Sequence, residues 1–458
     1  MASILNKPKR IIDLDVRDIR FPTSLTADGS DATHPDPDYS CVYVRLYTDD
    51  DNYVGCGLTF TIGRGNELVK HAVDSLRFLV VRRFIEDIQE NMACWVNDLA
   101  NESQLRWVGP EKGVIHLAMA AIVNAFWDLW GKIAKKPVWK LLSEMSPERI
   151  ISLINFKYIN DYLSKEEALA ILKKNEPFKR ERELWITKRG FPAYTTQVGW
   201  LGYDDKKLRE NGRKFLRDGF TAFKMKVGSD IEDDKRRLRI IREVIGPNNK
   251  LMVDANQKWG VQEAIDWMNE LAQFNIHWIE EPTSPDDVLG HLKVSQALEK
   301  HGIGVATGEM CQNRVMFKQF LQAGALQFCQ IDSARMGGLN DVLAVYLMAS
   351  KAGIPVCPHS GGVGLCEMVQ HLQMFDYVVL SGSIENRLIE FIDHLHEHFE
   401  FPPKLGRARY FPPMDYGYST EMKYGSIRDY EYPEGATWKR LLDKGQYRDP
   451  SLEFKKYL

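Results

Sequence analysis

From residue 193 onward, short apolar runs alternate with amphipathic segments and repeatedly end on an ionisable residue, a rhythm that few folds accommodate. The runs are Tyr194–Trp200, Ala222–Val227, Leu251–Asp254, Trp278–Glu280, Val305–Glu309, Phe328–Asp332, Val356–His359 and Val378–Ser381. Between them, Lys235–Ile245 places Leu238, Ile241 and Val244 on one helical face, and Gln262–Phe274 does the same with Ile265, Met268 and Leu271. Eight strands alternating with helices, at roughly 25 residues per unit, are the count of a TIM-type barrel. The rival is a doubly wound sheet, which needs a glycine-rich phosphate loop after its first strand. Trp200-Leu-Gly-Tyr-Asp204 does not supply one, and Gly362-Val-Gly364 lacks the third glycine of the dinucleotide fingerprint.

The residues at these strand ends are Lys224 and Lys226, Asp254, Glu280, Glu309, Asp332, His359 and Glu385. In a barrel the C-terminal strand ends converge on one mouth, where active sites are built. Taken singly, each has an ordinary reading: a strand-end Asp is a helix cap, and Glu280-Glu281-Pro282 is a turn. Their recurrence is not ordinary, because burying so many charges without a compensating ion is prohibitive. Asp254, Glu280 and Glu309 on adjacent strands make an all-oxygen site suited to Mg²⁺. Glu281 should face elsewhere, since strand side chains alternate. Lys224 and Lys226, two residues apart, point the same way. Asp332 is a carboxylate able to fix the tautomer of His359 and raise its basicity.

Around the barrel, expected over 193–400, the chain divides into three further parts. Residues 1–140 read as an α+β unit, with strand alternation at Ile12, Leu14 and Val16, at Val42, Val44 and Leu46, and from Tyr53 to Phe60. Leu68, Val69, Ala72, Val73 and Leu76 then fall at helical spacing. The long polar loop Phe21–Ser40 separates the first two strands, and loops of that length are functional or mobile. Residues 141–192 read as a linker and charged insertion, with a helix at Lys165–Lys174 and a solvated charge run at 179–183. The proline- and tyrosine-rich segment 401–458 is too aromatic for a free linker and should pack back on the rest.

Composition excludes several partners. Sixty Lys+Arg against 63 Asp+Glu leave a net charge of -3, so no basic field favours nucleic acid. No run approaches about 18 consecutive apolar residues, so no membrane association is expected. The N-terminal residues lack a signal-peptide core, and Asp13, Asp15 and Asp18 argue against a transit peptide. The 7 cysteines contain no CxxC pair and read as reduced thiols, which fits a cytoplasmic protein.

Lys224-x-Lys226, Asp254-Ala-Asn256, Trp278-Ile-Glu280-Glu281-Pro282, Gly308-Glu309, Asp332 and His359 together resemble the enolase superfamily, mandelate racemase subgroup. Longer words sharpen the likeness to its L-fuconate dehydratases and the mitochondrial members in animals. They are Phe21-Pro-Thr-Ser24, Asp36-Pro-Asp-Tyr-Ser40, Leu105-Arg-Trp-Val-Gly-Pro-Glu-Lys112, Thr283-Ser-Pro-Asp-Asp287, His359-Ser-Gly-Gly-Val-Gly-Leu-Cys-Glu367 and Asp393-His-Leu-His-Glu-His398. The resemblance spans nearly the whole chain. It implies a (β/α)7β barrel closed by an α+β capping domain made from the N-terminal region and C-terminal tail.

The resemblance also implies roles. One Mg²⁺ per subunit is held by Asp254, Glu280 and Glu309. Lys226 takes the C2 proton of an acid sugar, Lys224 assists, and His359, oriented by Asp332, protonates the departing 3-hydroxyl. Lowering a lysine to the range useful for a base costs about 4 kcal/mol, which Lys224 and the metal supply by like-charge repulsion. The lid Phe21–Ser40 reads the distal end of the substrate through Gly29, Ser30, Asp31 and Tyr39. Further substrate contacts fall to Lys224, Asn256, Glu309, His359, Gly361 and Ser360, which stands where Ala is expected. Glu390, rather than Glu385, takes the last substrate-binding place. The product is a 2-keto-3-deoxy acid, L-fuconate is the expected substrate, and a homo-oligomer is expected. The resemblance leaves a mitochondrial location open beside the cytoplasmic one, although no transit peptide is evident.

Three alternatives remain. Another acid-sugar dehydratase or a racemase would use the same Lys and His–Asp groups. A non-catalytic binding protein retaining the fold has no need of so many poised charges. His394, His396 and His398, with an i, i+4 pair on an expected helix, could bind zinc, although a surface histidine cluster is the plainer reading.

Overall fold

The computed structural model describes residues 9–454. Residues 1–8, where no signal-peptide core is expected, and the last four residues of the tail lie outside them.

Three antiparallel strands, Ile11–Arg20, Ser40–Thr48 and Val54–Thr61, form a meander that begins the cap. The register slips between Ile11 and Asp13, so Ile11 is buried while Ile12 is 51% exposed. The expected alternation from Ile12 is therefore corrected by an irregularity of the kind a bulge makes, which moves one residue to the other face. Helices Asn66–Leu76 and Gly113–Ala134 pack on the sheet.

The second of these helices is long and apolar enough by composition to cross a membrane, with a mean hydropathy of 1.4. This amends the expectation that no segment comes near that threshold. Its most apolar stretch is 78% buried inside the protein. There Asp128 accepts hydrogen bonds from the Cys56 and Tyr418 amides at 2.8 and 2.7 Å. The helix is the spine of the cap.

The barrel strands are Phe191–Gly199, Ala222–Lys226, Lys250–Asp254, Ile276–Glu280, Gly304–Thr307 and Phe328–Cys329, parallel and in sequence order. Bridges Cys329–Val356 and Asp332–His359 add the next segment. One expected strand is wrong. Val378–Ser381 lies in a wide helical turn, Asp376–Ser381, and the last strand is Ile389–Phe391, parallel to Phe191–Gly199. A short run of apolar residues cannot be assigned to strand or helix by periodicity alone.

Inside the ring, Tyr194, Ala222, Met252, Trp278, Ala306, Phe328, Cys357 and Leu388 form one buried apolar cluster. Each strand position contributes one member, so the cluster is a packed floor rather than a pore.

The 141–192 region is not a solvated insertion. Lys165–Asn175 and Lys179–Arg189 are helices that bury Ala168, Leu172 and Ile186 against the barrel's outer layer. One apolar stripe docks, and of the charge run Lys179 and Arg182 turn inward to donate to the Met145 and Val378 carbonyls at 3.1 and 3.3 Å. The C-terminal segment packs back as expected: Arg409–Tyr410 pairs with the first barrel strand, and buried Trp438 donates to the Arg20 carbonyl at 2.9 Å. All 7 cysteines are free thiols.

Candidate active site

Side chains on a strand return to the same face every second residue. Two residues beyond the apolar floor, the inward positions are Thr196, Lys224, Asp254, Glu280, Gln330, His359 and Glu390. On the Gly304–Thr307 strand that place falls to Gly308, and its neighbour Glu309 supplies the carboxylate. A polar layer therefore sits directly on an apolar one, and the low-dielectric floor strengthens every interaction above it.

Asp254, Glu280 and Glu309 offer ligand oxygens within 4.8 Å of one another. Burial pushes the Glu280 carboxyl up to about 8, with Asp254 and Glu309 adding to the effect and Lys224 opposing it. Three oxygens that repel one another in a buried pocket fit a divalent cation, and this all-carboxylate set suits Mg²⁺. Trp278 Nε1 and Gln330 Nε2 donate to Glu280 Oε2 at 3.3 and 2.6 Å, which fixes its orientation. Glu281 turns aside to accept from Gln257 at 2.8 Å.

Lys224, 1% exposed, reaches Glu280 at 2.5 Å, Glu390 at 3.1 Å and Asp254 at 3.5 Å. Lys226 reaches Asp254 at 2.5 Å and Asn256 Oδ1 at 2.9 Å. The expected depression of the Lys226 pKa is not found here: burial, the largest influence, and Lys224 favour the neutral amine, but Asp254, Glu309 and Asp31 together raise it. Across the mouth, His359 Nδ1 lies 2.8 Å from Asp332 Oδ2, leaving Nε2 3.5 Å from Glu309. Burial disfavours the imidazolium, yet Glu309, Asp332 and Glu390 lift His359 to about 9. Glu390 is held down at about 2 against burial by Lys224, His359 and Thr196.

Lys226, Asn256, Glu309, Asp332, His359 and Glu390 face a cavity of about 340 Å³, as do Gly361 and, from the lid, Gly29, Asp31 and Tyr39. Gly29 has φ +83 and a Cβ there would lie 2.4 Å from the Tyr39 ring, so the residue must be glycine. Thr33 Oγ1 donates to the Asn256 carbonyl at 2.6 Å and ties the lid to the barrel.

Three expected contacts lie elsewhere: Lys224 is sealed below the cavity against Glu280, Glu390 and Asp254, and the other two are serines. Ser30 is buried, accepts from the Gly202 amide at 2.9 Å and so pins the lid. Ser360 donates its hydroxyl to the Glu390 carbonyl at 2.6 Å, so the extra oxygen is satisfied internally. Glu385 is exposed and outside the site.

The histidine cluster also reads differently. Only His396–His398 is helical, a single 3-10 turn preceded by Leu395 at φ 68. His396 is tied to Glu367 at 2.7 Å, and His398 to Ser426 at 3.0 Å. Among the described residues the only converging metal-ligand group is the Asp254 trio. The zinc alternative and the surface cluster are both replaced by three histidines used separately in packing.

Thr196, His34 and Gln330 were not anticipated. Thr196 touches Glu390, and His34 Nδ1 lies 3.1 Å from Asp31. The one signal for Thr196 and Gln330 was their place two residues beyond a floor residue.

Comparison with known proteins adds to this geometry. The family described as Enolase C-terminal domain-like matches residues 207–426. Mitochondrial enolase superfamily member 1 of Homo sapiens is 56% identical over 434 residues, 94% of this chain and 98% of that protein. Its crystal structure matches with a TM-score of 0.94 over 94% of this chain and 98% of its own. The L-galactonate dehydratase of Hypocrea jecorina is 51% identical over 431 residues, 92% of this chain and 94% of that protein. A racemase from Streptomyces coelicolor A3(2), solved with bound magnesium, is 25% identical with a TM-score of 0.71, covering 91% of this chain and 98% of its own.

Proposed function

The chain belongs to the enolase superfamily, and from that premise we propose that it is a Mg²⁺-dependent acid-sugar dehydratase acting on L-fuconate. The observation that carries the reading is the meeting of Lys226 and the Asp332–His359 pair in one cavity beside the carboxylate trio. Removing a proton alpha to a carboxylate builds negative charge on both carboxylate oxygens. Asp254, Glu280 and Glu309 would hold the Mg²⁺, which when bound would supply the Lewis acid for this charge.

The protein's own groups do the rest. Lys226 accepts the C2 proton. Its partner in the structure is Asp254; with that carboxylate engaged as a metal ligand, the charge of Lys224 would favour a neutral Lys226. Asp332 holds His359 by Nδ1, so Nε2 is the atom turned to the cavity to protonate the departing 3-hydroxyl. Loss of water leaves an enol, which takes a proton at C3 to become the 2-keto-3-deoxy acid. Glu390 and Asn256, on the barrel side, position the substrate near C2. Gly29, Asp31 and Tyr39 read its far end.

L-Fuconate is L-galactonate without the 6-hydroxyl, and the two share the groups at C2 and C3. The 51% identity to an L-galactonate dehydratase therefore makes L-galactonate the second reading. The test is turnover of a panel of acid sugars with Mg²⁺, following keto-acid formation and loss of the C2 proton in deuterated water. L-Fuconate should have the highest kcat/KM. Far better turnover of another acid sugar would replace it, and exchange without keto-acid formation would favour a racemase.

A further inference from the structure

Among the charged side chains that line the cavity, one lacks a partner. Lys226 pairs with Asp254, His359 with Asp332, His34 with Asp31 and Arg64 with Asp36. Arg335 also lines the cavity, and among the described residues its guanidinium has no hydrogen bond or ion pair. Its Nε is buried and unsatisfied. A guanidinium carries five donors and cannot be neutralised by deprotonation, so leaving it unpaired in a half-buried position is costly.

The backbone that carries Arg335 is held from both sides. Asp332 Oδ1 accepts from the Ala334 and Arg335 amides at 2.7 and 3.0 Å, while its Oδ2 orients His359. From the cap, Thr59 Oγ1 donates to the Ala334 carbonyl at 2.9 Å and Asn124 to the Ser333 carbonyl at 3.1 Å. Gly337, at φ +78, lets the chain pass His116, whose Nε2 would lie 2.3 Å from a Cβ there. The loop is a fixed platform joined to both cap and barrel.

We propose that Arg335 is a substrate-binding and specificity-determining residue, donating to the hydroxyl oxygens of the acid sugar beyond C3. The assignment rests on the dehydratase reading above. Asp332 anchors the Arg335 backbone and orients His359 through the same carboxylate, and both side chains line the cavity. His359 acts at C3, and the sugar chain beyond C3 is what remains for Arg335. Vicinal hydroxyls match the paired donors of a guanidinium, which a lysine ammonium presents only as a point charge.

The test compares Arg335→Ala and Arg335→Lys with the wild type, using whichever acid sugar the wild type turns over best. KM should rise roughly 10- to 100-fold in Arg335→Ala, with kcat changed less. The Mg²⁺ dissociation constant, read by calorimetry, should be unchanged, and added guanidinium ion should recover part of the KM. Arg335→Lys should fall between the two and carries the same readout if the alanine variant does not fold. An unchanged KM, or a loss that guanidinium does not relieve and that comes with weaker Mg²⁺ binding, overturns the assignment. A wild type inert towards every acid sugar overturns the functional reading itself, and this assignment with it.

Discussion

At the barrel mouth, Lys224, Asp254, Glu280 and Glu390 are sealed from solvent and hold one another through contacts between charged side chains. In the lid, Asp31 is also buried, but its Oδ1 accepts from the amides of Thr33 and His34 at 2.7 and 2.6 Å, and the His34 side chain is 37% exposed. The mouth is built from strand ends, whose spacing the barrel dictates. The lid is a loop held by its own turns, a few bonds to the barrel and Tyr447 of the C-terminal segment, which reaches Asp38 at 2.5 Å. The contrast separates two tasks. Groups that must hold charge at fixed separation stand on the rigid ring, and the lid groups proposed to read the substrate's far end stand where sequence can change without disturbing that ring.

Removing charge from the mouth should do the most damage. Asp254→Asn or Glu280→Gln should lower turnover by on the order of 10³-fold or more. Calorimetry should show Mg²⁺ binding weakened in parallel, and EDTA should abolish wild-type activity until Mg²⁺ is restored. Full turnover by the metal-free protein would dissolve the distinction between mouth and lid, because the ring would then hold charge to no chemical end.

Within the mouth, Lys226 and His359 should fail differently. On the proposed roles, each should contribute about 10²- to 10⁴-fold as a general acid or base. Lys226→Ala should lose both C2 proton exchange and keto-acid formation, whereas His359→Asn should retain exchange in deuterated water and form little product. Wild-type exchange in Lys226→Ala would exchange or refute the two roles.

Legibility in the sequence follows the same division. The strand ends through His359 were readable because period-two alternation and a regular unit length are consequences of backbone geometry. Glu390 came from family likeness instead, since its strand, Ile389–Phe391, is three residues long while the apolar 378–381 run belongs to a helical turn. His394, His396 and His398 looked helical by spacing until Leu395 broke the turn with a positive φ. In the lid, Gly29, Asp31 and Tyr39 carried no local pattern, and Ser30 proved a structural pin. Loop contacts depend on tertiary partners, such as the Gly202 amide, which no local sequence window contains.

Lid substitutions should act on choice more than on chemistry. Asp31→Ala should reduce discrimination between L-fuconate and other acid sugars by roughly 10- to 200-fold in the ratio of kcat/KM values, with Mg²⁺ affinity unaltered. Competition assays with paired substrates read this directly. Equal losses on all substrates would place Asp31 with the mouth.

The smallest effect should come from outside both mouth and lid, at a joint between cap and barrel, and it should appear as pH-dependent stability. His371, on the barrel helix Leu365–Phe375, is fully buried, accepts from the Trp139 amide at 3.3 Å and meets Ser419 of the C-terminal segment at 2.9 Å. Burial lowers its pKa from 6.5 to about 3. The unfolded chain therefore takes up this proton near pH 6.5, while the folded protein resists it until about pH 3. Stability from this group is intact above the unfolded value and is lost as pH falls between the two, with about 2 kcal/mol gone at pH 5. His371→Gln should be less stable than the wild type at pH 7.5 through lost packing, and the gap should narrow by about that amount at pH 5. Urea melts at the two pH values measure it. Mg²⁺ affinity at pH 7.5 should match the wild type, because His371 touches neither the trio nor the lid. A gap that stays constant with pH would mean that His371 titrates in place, and that cap and barrel are joined by something other than this buried neutral contact.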